Sequence, residues 1–286
     1  MSAFAGLPER TWVNGTETGE VSVLDRGLQY GDGLFETMAA PGGAVRFLDL
    51  HLKRLAQGCE RLGIAGPPQE VLRGEIATAA AGGSAIVKLI LTRGPARARG
   101  YGVAGGEQPS RVLLRYAWGG EDARAMREGV RVRIADLKLA ENPALAGIKH
   151  LNRLEQILAR LEWDDAGIAE ALLFSGSGAL ISGTMSNVFL VRAGELFTPR
   201  LDRCGVAGVM REVIGSLAAG AGVNCERRVL DLEDLNHAEE LFLTSALTGI
   251  RPVVELAGRR IPIGPVTRRL QAALASQLAH EPGAAS

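Results

Sequence analysis

The sequence predicts a mixed α/β (α+β) chain in two lobes. Three observations carry this. Short β-rich runs recur along the whole length, and amphipathic helical stretches lie between them. A polar, glycine-containing stretch, Gly119-Gly120-Glu121-Asp122, interrupts the pattern. It divides the chain into a smaller N-terminal domain, residues 1–119, and a larger domain, residues 120–286. With 286 residues, of which 47% are hydrophobic, the chain can bury a sizeable core.

Taken in order, Trp12 to Asn14 reads as a strand entering a turn at Asn14-Gly15. Phe35 to Ala40 and Val45 to Leu48 flank Pro41-Gly42-Gly43 as a hairpin would. Asp49 is placed to cap a helix running to about Leu62, with Leu52, Leu55, Ala56, Cys59 and Leu62 on one face. A second helix covers Gln69 to Ala80, and Ile86 to Thr92 and Arg111 to Ala117 are β-rich. Beyond the boundary, Val130, Val132 and Ile134 alternate with charged residues, as in a half-buried strand. Leu151 to Trp163 reads as a strong helix with Leu154, Ile157, Leu158 and Leu161 on one stripe. Strands follow around Ala171 to Phe174, Val188 to Val191 and Leu241 to Thr244, and helices around Val209 to Ala219 and Val266 to Leu278. A loose tail is expected from Glu281.

Composition excludes several function classes. Acidic and basic residues balance at 32 each, which gives no reason to expect nucleic acid as a partner. Cys59, Cys204 and Cys225 are widely spaced and odd in number, arguing against a disulfide framework or a zinc site. The four histidines show no metal-ligand spacing. The N-terminus lacks a signal-peptide pattern, and no apolar run approaches the roughly 20 residues of a membrane span. The expectation is a soluble, cytoplasmic protein. Gly176-Ser177-Gly178 lacks the third glycine of a dinucleotide fingerprint.

Four segments carry chemistry. Arg26 to Thr37 holds three closely spaced glycines, a sign of tight backbone geometry that a plain structural loop also explains. In His51-Leu52-Lys53-Arg54-Leu55, Arg54 lies beside the buried stripe, from which a guanidinium could reach a phosphate; alone, it reads as a solvated helix charge. In Ala146 to Glu155, Lys149 sits in an apolar setting between a strand and a helix; burial and a nearby cation would lower its pKa, as a Schiff base requires. Gly205 to Arg211 opens a helix and so offers backbone N–H groups to an anion, and Thr244 to Gly249 ends a strand with hydroxyls and small residues. Each turn alone also reads as an ordinary cap.

Together, and in this order, these segments resemble the fold type IV family of pyridoxal-phosphate enzymes, which includes branched-chain and D-amino-acid aminotransferases and aminodeoxychorismate lyases. The resemblance extends from about Trp12 to Leu278. Asp25-Arg26-Gly27, Tyr30-Gly31-Asp32-Gly33, the run from Ala146 to Gln156, and Thr198-Pro199-Arg200-Leu201-Asp202 are most similar to the lyase branch. It implies a two-lobed fold of the D-amino-acid aminotransferase type, pyridoxal 5'-phosphate as cofactor, a small-molecule substrate and a homodimer. It also implies a lyase that converts 4-amino-4-deoxychorismate to 4-aminobenzoate and pyruvate.

By the same resemblance Lys149 holds the cofactor and later moves protons, and Arg54 binds its phosphate. Gly208, Val209, Met210, Ser245 and Ala246 supply the remaining phosphate donors. Ser182 falls where the family commonly has a glutamate that keeps the pyridine nitrogen protonated. A hydroxyl can only hydrogen-bond there, which favours elimination over transamination. Thr37 is a candidate proton donor to the leaving group. Arg93, Arg97 and Arg99, in a loop rich in arginine and glycine, are candidates for the substrate carboxylates. The rival readings are an aminotransferase on the same fold and a catalytically silent binding protein.

Overall fold

The computed structural model describes residues 6–281. The tail expected past Glu281 lies outside them. The described chain forms two compact units.

The smaller unit comprises residues 6–120 together with Ile148–Asn152 and residues 280–281. Its elements are β1 (Arg10–Val13), β2 (Thr16–Glu17), α1 (Arg26–Tyr30), β3 (Gly33–Ala40), α2 (Leu48–Leu62), α3 (Gln69–Ala80), β4 (Ala85–Thr92) and β5 (Arg111–Ala117). The strands form an antiparallel sheet in the order β2-β1-β5-β4-β3. Alternation gives this sheet two unlike faces. Leu34, Glu36, Met38, Val87, Leu89, Leu91, Leu113 and Arg115 are buried. Phe35, Thr37, Lys88, Ile90 and Leu114 alternate with them and are half-buried.

Two local expectations are corrected here. Val45 to Leu48 is not a strand; Pro41–Gly43 forms a 3-10 turn, and β3 pairs with β4 instead. Proline at the first turn position and positive φ at Gly42 and Gly43 divert the chain into α2 rather than back along β3. Asp49 does not cap α2. The cap position is Phe47, in a left-handed conformation, and Asp49 lies in the first turn, paired with Arg73. On α2 the buried stripe is His51, Leu52, Leu55 and Cys59, whereas Ala56 is exposed and Leu62 half-buried.

The larger unit comprises Glu121–Gly147 and Arg153–Ala279. It contains α4 (Ala123–Glu128), β6 (Val130–Leu139), α5 (Leu154–Arg160), β7 (Ile168–Ser175), β8 (Leu180–Gly183), β9 (Asn187–Arg192), β10 (Glu195–Pro199), α6 (Val209–Gly220), β11 (Cys225–Arg228), α7 (Leu232–Asn236), β12 (Glu240–Ser245), β13 (Gly249–Leu256), β14 (Arg259–Arg260) and α8 (Pro265–Leu278). Its mixed sheet runs β11-β10-β9-β12-β13-β6-β7-β8, with β14 beside β13. Leu172, Val188, Leu190, Leu241, Leu243 and Val253 form the centre of one core layer. The helix expected over Leu151 to Trp163 is shorter, Leu154–Arg160, because Leu151 donates its N–H to Gly33 instead of starting a helical turn. Its apolar stripe, Leu154, Ile157, Leu158 and Leu161, faces outward.

Candidate active site

In the smaller unit, Lys149 lies on a short extended segment laid against the start of β3. The Phe35 N–H donates to the Lys149 carbonyl at 3.0 Å, and the Leu151 N–H donates to the Gly33 carbonyl at 3.0 Å. Asn152 Nδ2 donates to the Gly31 carbonyl at 3.2 Å. Gly31 has φ 67°, and a Cβ there would lie 2.6 Å from Asn152 Oδ1, so glycine is required on both counts. The backbone of Lys149 is thus pinned on both sides. Its ammonium stands 4.1 Å from the centre of the Phe35 ring. Thr37 lies two residues beyond Phe35 on the same sheet face, directly opposite Lys88.

Arg54 is held on the buried side of this sheet by Glu36. Arg54 Nε donates to Glu36 Oε1 at 2.8 Å, and Nη2 donates to Oε2. His51 Nδ1 lies 2.6 Å from Glu36 Oε2. Burial would raise the Glu36 pKa, but the Arg54 charge and the His51 hydrogen bond overcome it and hold the carboxyl at about 2. Arg54 therefore projects from a fixed base, which suits a phosphate ligand. Sequence reasoning gave Glu36 no role. Its signal was a glutamate in phase with Leu34 and Met38 on the buried side of a strand.

The glycine-rich segment is α1 and its caps. Asp25 caps α1 by accepting from the Gly27 N–H at 2.8 Å, and Thr92 Oγ1 donates to the same carboxylate at 2.9 Å. Arg26 and Arg93 both donate to Asp32 Oδ2 at 2.8 Å. Burial opposes ionisation of Asp32, but the two guanidinium groups outweigh it and lower its pKa. Arg26 also donates to the carbonyls of Gly100, Tyr101 and Gly102, tethering the arginine loop. Arg93 is buried and donates further to the carbonyls of Leu62 and Gly63 at 2.7 Å each. Its guanidinium is committed to the fold, a correction to its candidacy as a substrate ligand. Arg97 and Arg99 are exposed on the tethered loop.

In the larger unit, α6 begins at Val209 after Gly208, and no described side chain caps it. The N–H groups of Val209 and Met210 lie in the first turn, where no intrahelical acceptor exists, and both residues are buried. Gly208 is pressed against Asn187: a Cβ would fall 2.0 Å from Asn187 Oδ1, and Asn187 Nδ2 donates to the Val206 carbonyl at 2.8 Å. Arg211 lies buried in the same turn, donating to Thr198 Oγ1 and the Pro199 carbonyl. Burial lowers its pKa to about 10, so it stays cationic at neutral pH. The β12–β13 turn bonds Ser245 Oγ to Thr248 Oγ1 at 2.8 Å, with Ala246 half-buried beside it. An uncapped, buried helix start with an adjacent cation fits a phosphate.

Ser182 is half-buried on β8, opposite Leu173 of β7. The turn that follows is organised by Glu170, another residue missed in the sequence. Its buried carboxylate accepts from the Met185 N–H at 3.0 Å and Ser186 Oγ at 2.9 Å, and it pairs with Arg251. Among the described residues no cluster of histidine, cysteine, aspartate or glutamate could hold a metal.

The chain is 33% identical over 265 residues to the aminodeoxychorismate lyase of Vibrio harveyi, covering 91% of this chain and 97% of that one. It is 34% identical over 267 residues to a provisionally named branched-chain-amino-acid aminotransferase of Methanocaldococcus jannaschii, covering 88% and 89%. The crystal structure of 4-amino-4-deoxychorismate lyase from Pseudomonas aeruginosa superposes with a TM-score of 0.90 at 44% identity, covering 94% of this chain and 99% of that one. The family model for amino-transferase class IV matches residues 33–256. A match over that span, joined to likeness along nearly the whole length of a solved relative, establishes that the chain belongs to the amino-transferase class IV family.

Proposed function

We propose that this chain is a pyridoxal-phosphate-dependent lyase that converts 4-amino-4-deoxychorismate to 4-aminobenzoate and pyruvate, a step of folate biosynthesis. The single observation that carries the reading is the 44% identity with the P. aeruginosa lyase over nearly the whole of both chains. Lys149, on its pinned segment, supports it chemically.

Lys149 takes the aldehyde of the cofactor. Arg54, the Val209 and Met210 N–H groups behind Gly208, and the turn at Ser245 and Ala246 take the phosphate. Ser182 hydrogen-bonds the pyridine nitrogen. When bound, pyridoxal phosphate supplies an electron sink for the pair released at the amine-bearing carbon. Lys149 removes the proton from that carbon as a general base. Thr37, on the same sheet face, gives a proton to the departing enolpyruvyl oxygen. Arg97 and Arg99, on the loop that Arg26 tethers, face the substrate carboxylates in this reading. Loss of the ether makes the ring aromatic, which drives the reaction forward.

The smaller domain, residues 1–119, and the larger, residues 120–286, are proposed to work as a homodimer in the cytoplasm. The outward apolar stripe of α5 supports the dimer. No helix among the described residues is long and apolar enough to cross a membrane.

The test is a spectrum followed by turnover. Protein given pyridoxal phosphate should take up colour that borohydride fixes to Lys149, and it should release 4-aminobenzoate from 4-amino-4-deoxychorismate. Lys149→Ala should lose both the fixed colour and the activity. Colour without product, but with amino transfer from a branched-chain or D-amino acid, would instead establish an aminotransferase. No colour would defeat the cofactor assignment.

A further inference from the structure

The arginine loop returns to its own starting point. Gly94 has φ 96°, and a Cβ there would fall 1.9 Å from the Gln108 carbonyl oxygen. Residues 95–107 therefore leave and re-enter the smaller unit at one place, as an Ω-loop does. The root of the loop is fixed by backbone: the Arg26 N–H donates to the Gly94 carbonyl at 3.0 Å, and the Ala96 N–H donates to the Leu24 carbonyl at 2.8 Å. Its middle is held by the Arg26 side chain. Arg26 Nη1 donates to the Gly100 and Gly102 carbonyls at 3.3 and 3.2 Å, and Nη2 donates to the Tyr101 carbonyl at 3.1 Å. The guanidinium lies 5.1 Å from the Tyr30 ring centre, and Tyr101 meets that ring edge-on at 5.4 Å.

Three successive carbonyl oxygens turned toward one cation are matched by a planar fork of donors, not by the point charge of a lysine. The fork is itself held in place. Arg26 is buried, and its Nε donates to Asp32, whose carboxylate also accepts from Nε and Nη2 of Arg93. Asp32 sits between Gly31 and Gly33, whose carbonyls hold Asn152 and Leu151 beside Lys149. One tight turn therefore supports the Lys149 segment through its backbone and the loop through its carboxylate. The loop needs that support. Gly100, Gly102, Gly105 and Gly106 give it a large conformational entropy to lose, and most of its length is exposed.

We propose that Arg26 is a positioning residue that latches loop 95–107 in the form that presents Arg97 and Arg99 to the substrate. This deepens the lyase reading and rests on it for the ligand those arginines meet. With the latch closed, the loop is ordered before substrate arrives, so binding does not have to order it. With the latch removed, every binding event carries that entropy loss, and it weighs equally on bound substrate and transition state. The latch therefore acts on KM far more than on kcat. It does not act on the cofactor, because the backbone of the turn, not the guanidinium, holds the Lys149 segment.

The experiment uses holoenzyme loaded with pyridoxal phosphate, in wild-type, Arg26→Gln, Arg26→Lys and Gly100→Ala forms and with Arg26→Gln and Gly100→Ala combined. Gly100 has φ 100° and open space where a Cβ would stand, so Gly100→Ala strains the loop backbone without a clash elsewhere. Trypsin cleavage after Arg97 and Arg99, followed by mass spectrometry, reads opening of the loop. Arg26→Gln, Arg26→Lys and Gly100→Ala should each be cut about tenfold or more faster than wild type, and the combined form no faster than Arg26→Gln alone. In turnover of 4-amino-4-deoxychorismate, each should raise KM by about tenfold and change kcat by less than about twofold, with cofactor uptake by absorbance unchanged. The proposal is overturned if Arg26→Gln is cut at the wild-type rate or keeps the wild-type KM, or if it folds but loses cofactor uptake. It is also overturned if Arg26→Lys behaves as wild type, or if the two substitutions multiply in the combined form. Should Arg26→Gln fail to fold, Gly100→Ala decides: faster cutting with raised KM supports the latch, and wild-type behaviour overturns it. The lyase reading fails separately: wild-type protein that releases no pyruvate loses that reaction, while the cutting series and KM for the amine it does use still decide the latch.

Discussion

Glu36 carries two partners, the Arg54 guanidinium and the His51 ring, on the buried side of its sheet. Removing one member of a buried ion pair leaves the other charge uncompensated and costs about 3 kcal/mol or more. Glu36→Gln should therefore lower unfolding stability by about 3 kcal/mol at pH 7, and it should weaken cofactor binding, because Arg54 loses its anchor. The pH dependence has a definite sign. The carboxyl pKa is lowered from 4.5 to about 2 on folding. Its contribution is complete above pH 4.5 and is lost as pH falls toward 2. The gap between wild type and Glu36→Gln, measured by urea denaturation at pH 7 and near pH 3, should narrow with acid. Equal stabilities at pH 7 would refute the anchoring role. At this scale legibility was uneven. Lys149 and Arg54 stand out in the sequence because a long motif frames the first and a buried stripe flanks the second. Glu36 and Glu170 could not, because each owes its role to a partner across a strand or on another element. Arg93 was misread for the same reason: its charge suggested a ligand, whereas Asp32 and two carbonyls had already claimed it.

The start of α6 depends on a contact between elements. Gly208 has φ -69°, which any residue tolerates, so its requirement is steric rather than conformational. The obstacle is Asn187 Oδ1 at the start of β9, held in place while its Nδ2 donates to the Val206 carbonyl. Gly208→Ala should push the helix start away from Asn187. We expect a stability loss of about 1–3 kcal/mol and cofactor affinity weakened by about tenfold or more, in proportion to lost N–H donors. Adding Asn187→Ala should recover part of the affinity by relieving the contact; absorbance titration with pyridoxal phosphate reads both. Undiminished affinity in Gly208→Ala would remove this helix start from the phosphate site. Elements with a clear period and a marked start were legible in the sequence, α3, α6 and α8 among them. The false hairpin after β3 arises because the glycine pair resembles a tight turn, while the partner strand β4 begins only at Ala85, paired with Ala40, beyond any local signal.

At the scale of the whole molecule, α5 presents a conflict that a second copy of the chain would resolve. Its sequence has the apolar stripe of a buried helix, yet Leu154, Ile157, Leu158 and Leu161 are 72%, 54%, 54% and 74% exposed. The helical period marks the stripe in the sequence, and the structure turns that stripe outward. A fully buried leucine or isoleucine contributes about 1.5–3 kcal/mol relative to an exposed one, so covering the stripe is strongly favourable. In an isolated chain, Leu158→Glu alters an exposed position and should change stability by no more than about 0.5 kcal/mol. In a dimer that covers α5, the same change buries an unpaired carboxylate and costs several kcal/mol of association. Sedimentation velocity distinguishes the cases: wild type should sediment at twice the 30.2 kDa chain mass, and Leu158→Glu should sediment as a single chain with an unchanged circular dichroism spectrum. If Leu158→Glu sediments as a dimer, α5 is not the interface; if wild type itself sediments as one chain, the homodimer proposal fails.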